Sequence, residues 1–149
     1  QLRRSWYMLF FQIPSLPEHL IRKDGFALLR RMLSRSAQPG TFSAPDLDRF
    51  VEAMSQPGAL TCAMNYYRAM LRQNLVAELR RLSTIPPSLP VLLVWGERDV
   101  ALGKELTYDL HKFVDNLRIE YVPDAGHWVQ QESPETVNRA LLQFLAEGA

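Results

Sequence analysis

The sequence predicts an α/β protein in two parts, a helical segment followed by strands and helices of a parallel sheet. Three observations carry this. The Pro-rich stretch Ile85-Pro86-Pro87-Ser88-Leu89-Pro90 cuts the 149-residue chain in two, because proline fits neither a helix interior nor a central strand. Before it, apolar residues recur at helical spacing. After it, strand-like and helix-like patterns alternate, which is the order of a parallel sheet with helices on its faces. The division is expected between residues 1–85 and 86–149.

In the first part, a helix is expected over about Glu18 to Leu33, with Leu20, Ile21, Phe26, Leu28 and Leu29 apolar. Ser43-Ala44-Pro45-Asp46 reads as a helix start, an N-cap serine with an acid three residues on. Leu47, Phe50, Val51 and Met54 then form one stripe, and Pro57-Gly58 ends the helix. A further helix is expected from about Leu60 to Asn74, with Met64, Tyr67, Met70 and Leu71 on one side. Met8, Met32, Met54, Met64 and Met70 suit gap-filling in a helical core.

In the second part, Val91-Leu92-Leu93-Val94-Trp95 is a short apolar run between Pro90 and Gly96, the pattern of a strand buried on both faces. Leu106, Leu110 and Phe113 mark a helix. Arg118 to Val122 alternates polar and apolar and reads as a second strand. Ser133-Pro134-Glu135 opens the last helix, with Val137, Leu141, Phe144 and Leu145 as its stripe. Two strands do not make an independent sheet of this kind. With Gln1 in place of a starting Met and no signal-peptide pattern at the N-terminus, the chain is expected to be a piece of a longer protein.

Composition narrows the function classes. Apolar residues are 47% and charged residues 22% of the chain, a globular balance. The net charge of +1 argues against strong steering toward nucleic acid. No apolar run approaches the roughly 18 residues of a membrane span. The single cysteine, Cys62, excludes an internal disulfide and fits a reducing, cytoplasmic compartment.

Two loops follow the two strands, Gly96-Glu97-Arg98-Asp99 and Pro123-Asp124-Ala125-Gly126-His127-Trp128. Sites in parallel α/β sheets lie at the C-terminal ends of strands. Asp99 from one loop could there hold the imidazole of His127 from the other, leaving His127 as a general base. Taken singly, an Asp after a strand is more often a turn former and a Gly-His pair more often a loop. Their order and flanks together favour the catalytic reading.

These flanks carry a family resemblance. Val91 to Asp99, VLLVWGERD, resembles the acid-bearing strand and turn of α/β-hydrolases, and Asp124 to Trp128, DAGHW, resembles their histidine loop. The chain order of nucleophile, acid and histidine fits as well. Tyr7-Met8-Leu9-Phe10-Phe11-Gln12 resembles the start of the cap in epoxide hydrolases. Asn65-Tyr66-Tyr67-Arg68 resembles that family's Asn-Trp-Tyr-Arg stretch, with Tyr66 where tryptophan is frequent. The resemblance implies the C-terminal part of an α/β-hydrolase fold, with 1–85 as helical cap and 86–149 as the last strands and helices of the core.

It also implies a chemistry. The family's epoxide opening leaves negative charge on oxygen, and two phenols, here Tyr7 and Tyr67, donate hydrogen bonds to it. An aspartate nucleophile forms an ester, and His127, oriented by Asp99, activates the water that hydrolyses it. The turn that carries that nucleophile is not among these residues. Phe11, Trp6 and Trp128 are candidates to line the substrate pocket. Without the resemblance Tyr66 and Tyr67 read as core residues, and Trp6, Trp95 and Trp128 could be core as well. No cofactor or metal is implied. The substrate is expected to be a small apolar epoxide. The alternatives are a dehalogenase or esterase of the same fold, or an inactive half that needs a complementary N-terminal chain or forms a homo-oligomer.

Overall fold

The computed structural model describes residues 5–72 and 89–147. These fall into two compact units: a helical unit of 5–35 with 39–72, and a sheet unit of 36–38 with 89–147. The Pro-rich stretch up to Ser88, and with it the expected 85/86 boundary, lies outside the described residues.

The helical unit holds α1 (Trp6–Phe10), α2 (Leu16–Ser36), α3 (Ala44–Ser55) and α4 (Ala59–Arg72). Its core is Phe11, Ile21, Leu60 and Met64, with Tyr7, Phe26, Leu28, Leu29, Met54 and Tyr67 packed around them. The helix expected over Glu18 to Leu33 is in fact interrupted. Lys23 leaves helical geometry, and Asp24, Gly25 and Phe26 all have positive φ. Glycine is permissive there and aspartate tolerates the left-handed region, so Asp24-Gly25 supplies the break. Helix α3 starts as the sequence reads: Asp46 N–H donates to Ser43 Oγ, and Ser43 N–H to Asp46 Oδ2. That carboxyl is held below the usual range by the Ser43 hydrogen bonds.

On α4 the buried row runs through Leu60, Met64 and Arg68 with Tyr67 half-buried beside it, whereas Met70 and Leu71 are exposed. Four-residue steps from Leu60 give this face. Of the five methionines, Met64 is buried and Met54 packs on the core, but Met32 and Met70 are exposed. Arg68 closes the unit. It donates to Glu18, to Asn65 Oδ1, and to the carbonyls of Phe11 and Ile13. Those bonds occupy all five guanidinium N–H groups.

In the sheet unit, β1 (Val91–Gly96) and β2 (Leu117–Val122) pair in parallel, from Val91 opposite Leu117 to Gly96 opposite Val122. Two helices follow, the short α5 (Val129–Glu132) and the longer α6 (Pro134–Glu147), and both pack on β1. Two expectations need correction. Val91 to Trp95 are half-buried, not buried on both faces, because two strands with these two helices leave sheet surface uncovered. The helix expected at Leu106 to Phe113 is a pair of 3-10 turns, Lys104–Thr107 and Leu110–Lys112. Leu106 and Phe113 are exposed there. The segment is anchored instead by the fully buried Thr107, whose hydroxyl bonds Tyr121 Oη at 2.6 Å, and by Lys104, which pairs with Glu97. No helix among the described residues is long and apolar enough to cross a membrane.

Candidate active site

The sheet places two loops side by side. After β1 the chain turns at Gly96, and Asp99 N–H donates back to Gly96 O. After β2 it turns through Pro123 and Asp124 into Ala125. Glu97 N–H donates to Val122 O and Arg98 N–H to Ala125 O, so the parallel ladder continues into the loops. Gly96 makes this approach feasible. A Cβ there would lie 2.1 Å from Gly126 O and 2.6 Å from Ala125 O, far inside van der Waals contact.

Asp99 and His127 meet across this junction. Asp99 Oδ1 accepts the N–H groups of Ala101 at 2.7 Å and Leu102 at 2.8 Å. Its Oδ2 lies 3.0 Å from His127 Nδ1. The Asp99 side chain is 9% exposed and that of His127 34%. A carboxylate that accepts on both oxygens calls for Nδ1–H on the ring, which leaves Nε2 to take a proton. The sequence-predicted acid and histidine are therefore brought together with the orientation a general base needs.

The two tyrosines come together in the helical unit. The rings of Tyr7 and Tyr67 are 5.9 Å apart and nearly perpendicular. Buried Phe11 packs against both, 5.6 Å from Tyr7 and 5.1 Å from Tyr67. Gln12 Nε2 donates to Tyr67 O at 3.3 Å, and Arg68 Nε to Phe11 O at 2.9 Å. The two stretches that resemble the cap are thus clasped to each other. Burial raises the Tyr67 pKa above the ordinary phenol value, with Tyr7 and Tyr66 adding to the shift. Its O–H therefore stays a donor well past neutral pH.

The remaining candidates divide. Trp6 is 64% exposed. Trp128 stands edge-on to His127 and its indole N–H donates to Ser36 Oγ at 2.8 Å. His19 and His111 are exposed. A pocket of about 290 Å³ in the helical unit is lined by Gln12, Glu18, Asn65 and Arg68 among others. The Arg68 guanidinium there is fully engaged with its neighbours, so this is scaffold rather than a ligand site. Among the described residues no three His, Cys, Asp or Glu side chains gather as a metal ion would need. Sequence reasoning missed Arg68 and Glu132. Glu132 accepts the N–H groups of Gly126 and Gln38, and nothing in its sequence context distinguishes it from a solvated acid.

No family model matches the chain. Individual proteins do. It is 34% identical over 97% of its length to the AB hydrolase superfamily protein YfhM of Bacillus subtilis (strain 168), and 35% identical over 99% to epoxide hydrolase 3 of Mus musculus. The crystal structure of epoxide hydrolase A from Mycobacterium thermoresistibile superposes with a TM-score of 0.79 at 26% identity, over 94% of this chain and 51% of that one. The relatives that match this chain over nearly its whole length are α/β-hydrolase superfamily proteins and epoxide hydrolases. The sequence of this chain is epoxide hydrolase-like, and the expected C-terminal part of an α/β-hydrolase fold stands. The chain spans 49% of the Bacillus protein and 39% of the mouse protein, about half or less of each.

Proposed function

We propose that this chain supplies the acid, the base and the oxyanion donors of an epoxide hydrolase. In this reading, residues 1–85 form its cap and 86–149 part of its core, and the nucleophile comes from outside these residues. The Asp99–His127 hydrogen bond, with Asp99 locked by two backbone N–H groups, carries the hydrolase reading. The Tyr7–Tyr67 pair favours an epoxide over a halide or an ester.

The steps follow from these groups. A carboxylate oxygen attacks one epoxide carbon, forming an ester as the ring C–O bond breaks. Tyr7 and Tyr67 hold the oxygen that gains charge. His127 Nε2 then takes a proton from water, and the hydroxide adds to the ester carbonyl. The ester C–O bond then breaks to leave a carboxyl group. The imidazolium gives its proton to one diol oxygen and the new carboxyl gives its proton to the other, so the diol departs and the carboxylate and neutral imidazole return. Asp99 stabilises the imidazolium in between. Trp6 and Trp128 would border the substrate, and Phe11 would back the phenols. Leu141, Leu142 and Leu145 of α6 are exposed, which supports a complementary half or a second copy as the partner.

Steady-state hydrolysis of a chromogenic epoxide, a haloalkane and an ester by the full-length protein tests this. His127→Ala should slow the epoxide reaction roughly 10²–10⁴-fold. Tyr67→Phe should slow it by about 10²-fold. Turnover of the ester or haloalkane, with none of the epoxide, would assign the protein to another branch of the fold.

A further inference from the structure

We propose that Glu132 is a positioning residue for His127, a role that rests on the reading of His127 as the base oriented by Asp99. Glu132 ends α5, five residues beyond the histidine. One carboxylate oxygen receives the N–H of Gly126, the residue immediately before His127. The other receives Gln38 N–H at 3.1 Å. The Glu132 backbone N–H donates in turn to Trp128 O at 2.9 Å, so the stretch 126–132 is closed on itself by side chain and main chain of one residue.

The Gly126 peptide is held from both sides. Its carbonyl occupies the space beside Gly96, where no Cβ would fit, and its N–H is taken by the Glu132 carboxylate. The preceding carbonyl, Ala125 O, accepts Arg98 N–H from the Asp99 turn. On the other side of His127, Trp128 is tied through its indole to Ser36. With its neighbours fixed on both sides, the imidazole has little freedom except at its own χ angles, and those bring Nδ1 to Asp99 Oδ2. A carboxylate suits the position because it offers two acceptor oxygens to two N–H donors, and charge-assisted bonds of this kind are the stronger ones. The segment 36–38 interrupts the helical unit in sequence, yet Glu132 and Trp128 hold it within the sheet unit.

The test uses the ¹⁵N-labelled chain at mildly alkaline pH, where a neutral imidazole reports its tautomer through its ring nitrogens. Exposed His19 and His111 give the unconstrained reference. Wild type should show His127 with the proton on Nδ1, and Asp99→Asn should abolish that pattern. Glu132→Ala should move His127 toward the Asp99→Asn spectrum and speed exchange of the Gly126 amide roughly tenfold or more. Glu132→Gln keeps one acceptor and should fall between, which provides a reading even if the alanine variant does not fold. If Asp99→Asn changes the tautomer while both Glu132 variants leave it as in wild type, the positioning role is overturned and the Asp99–His127 reading survives. If Asp99→Asn leaves the tautomer unchanged, both are overturned.

Discussion

The helical unit and the sheet unit hold themselves together in different ways. The helical unit buries large side chains, Phe11, Ile21, Leu60 and Met64, and seals its ends with Arg68 on Glu18. The sheet unit buries small ones, Ala125, Val122, Val137 and Ala140, while Phe113, Leu142 and Leu145 remain exposed. Its order is concentrated in backbone hydrogen bonds at the junction of the two loops, where Gly96, Ala125 and Gly126 touch. Packing fixes the phenols, and close backbone approach fixes the acid and the histidine. Substitutions should therefore act by different mechanisms in the two places.

The largest effect is expected at Arg68. Its side chain and that of Glu18 are 10% and 12% exposed, and removing one member of so buried a pair costs about 3–5 kcal/mol. Arg68→Ala should speed hydrogen exchange throughout the helical unit and leave the Asp99 and His127 loops unaffected. Gly96→Ala is the counterpart in the sheet unit. Forcing atoms into a filled space costs roughly 1–3 kcal/mol, and here the obstacle is backbone. It should part the loops and remove the His127 tautomer preference while the helical unit exchanges as before.

Acid separates the units next. The Arg68 hydrogen bond lowers the Glu18 pKa below its ordinary 4.5. A lowered folded-state value stabilises above the unfolded value and is lost as pH falls through the folded one. The helical unit should therefore weaken below about pH 4.5, and Glu18→Gln should flatten that part of its pH profile. At the alkaline end the Glu97 hydrogen bond raises the Lys104 pKa above 10.5. That stabilisation, in the sheet unit, is present below the unfolded value and fades as pH rises through the folded one. The smallest effect is expected at Leu142, which is 70% exposed. Leu142→Ser should shift the denaturation midpoint by the equivalent of no more than about 0.5 kcal/mol.

The sequence made one kind of interaction visible and hid another. Local signals were readable. The Ser43–Asp46 capping box, both strands, and the paired loops bearing Asp99 and His127 are all where spacing and turn residues put them. The likeness of Tyr7–Gln12 and Asn65–Arg68 to a cap could be read from residues, but their clasp could not. Arg68 reaches carbonyls more than fifty positions away, and an arginine on a helix reads as solvated until the fold is known. Glu132 was hidden for the same reason. The interrupted α2 was signalled by Asp24-Gly25, which apolar periodicity outweighed. Leu106 to Phe113 is not the expected helix because Thr107, a polar residue, anchors the segment in place of the spaced leucines.

On the proposed function, this chain carries the acid, base and phenols of a hydrolase and receives its nucleophile from elsewhere. The most direct test is hydrolysis of a chromogenic epoxide by the 149-residue chain purified alone, with His127→Ala beside it. On that proposal, neither should show turnover. Turnover by the wild-type chain that His127→Ala abolishes would contradict it, because a nucleophile would then have to lie among these residues.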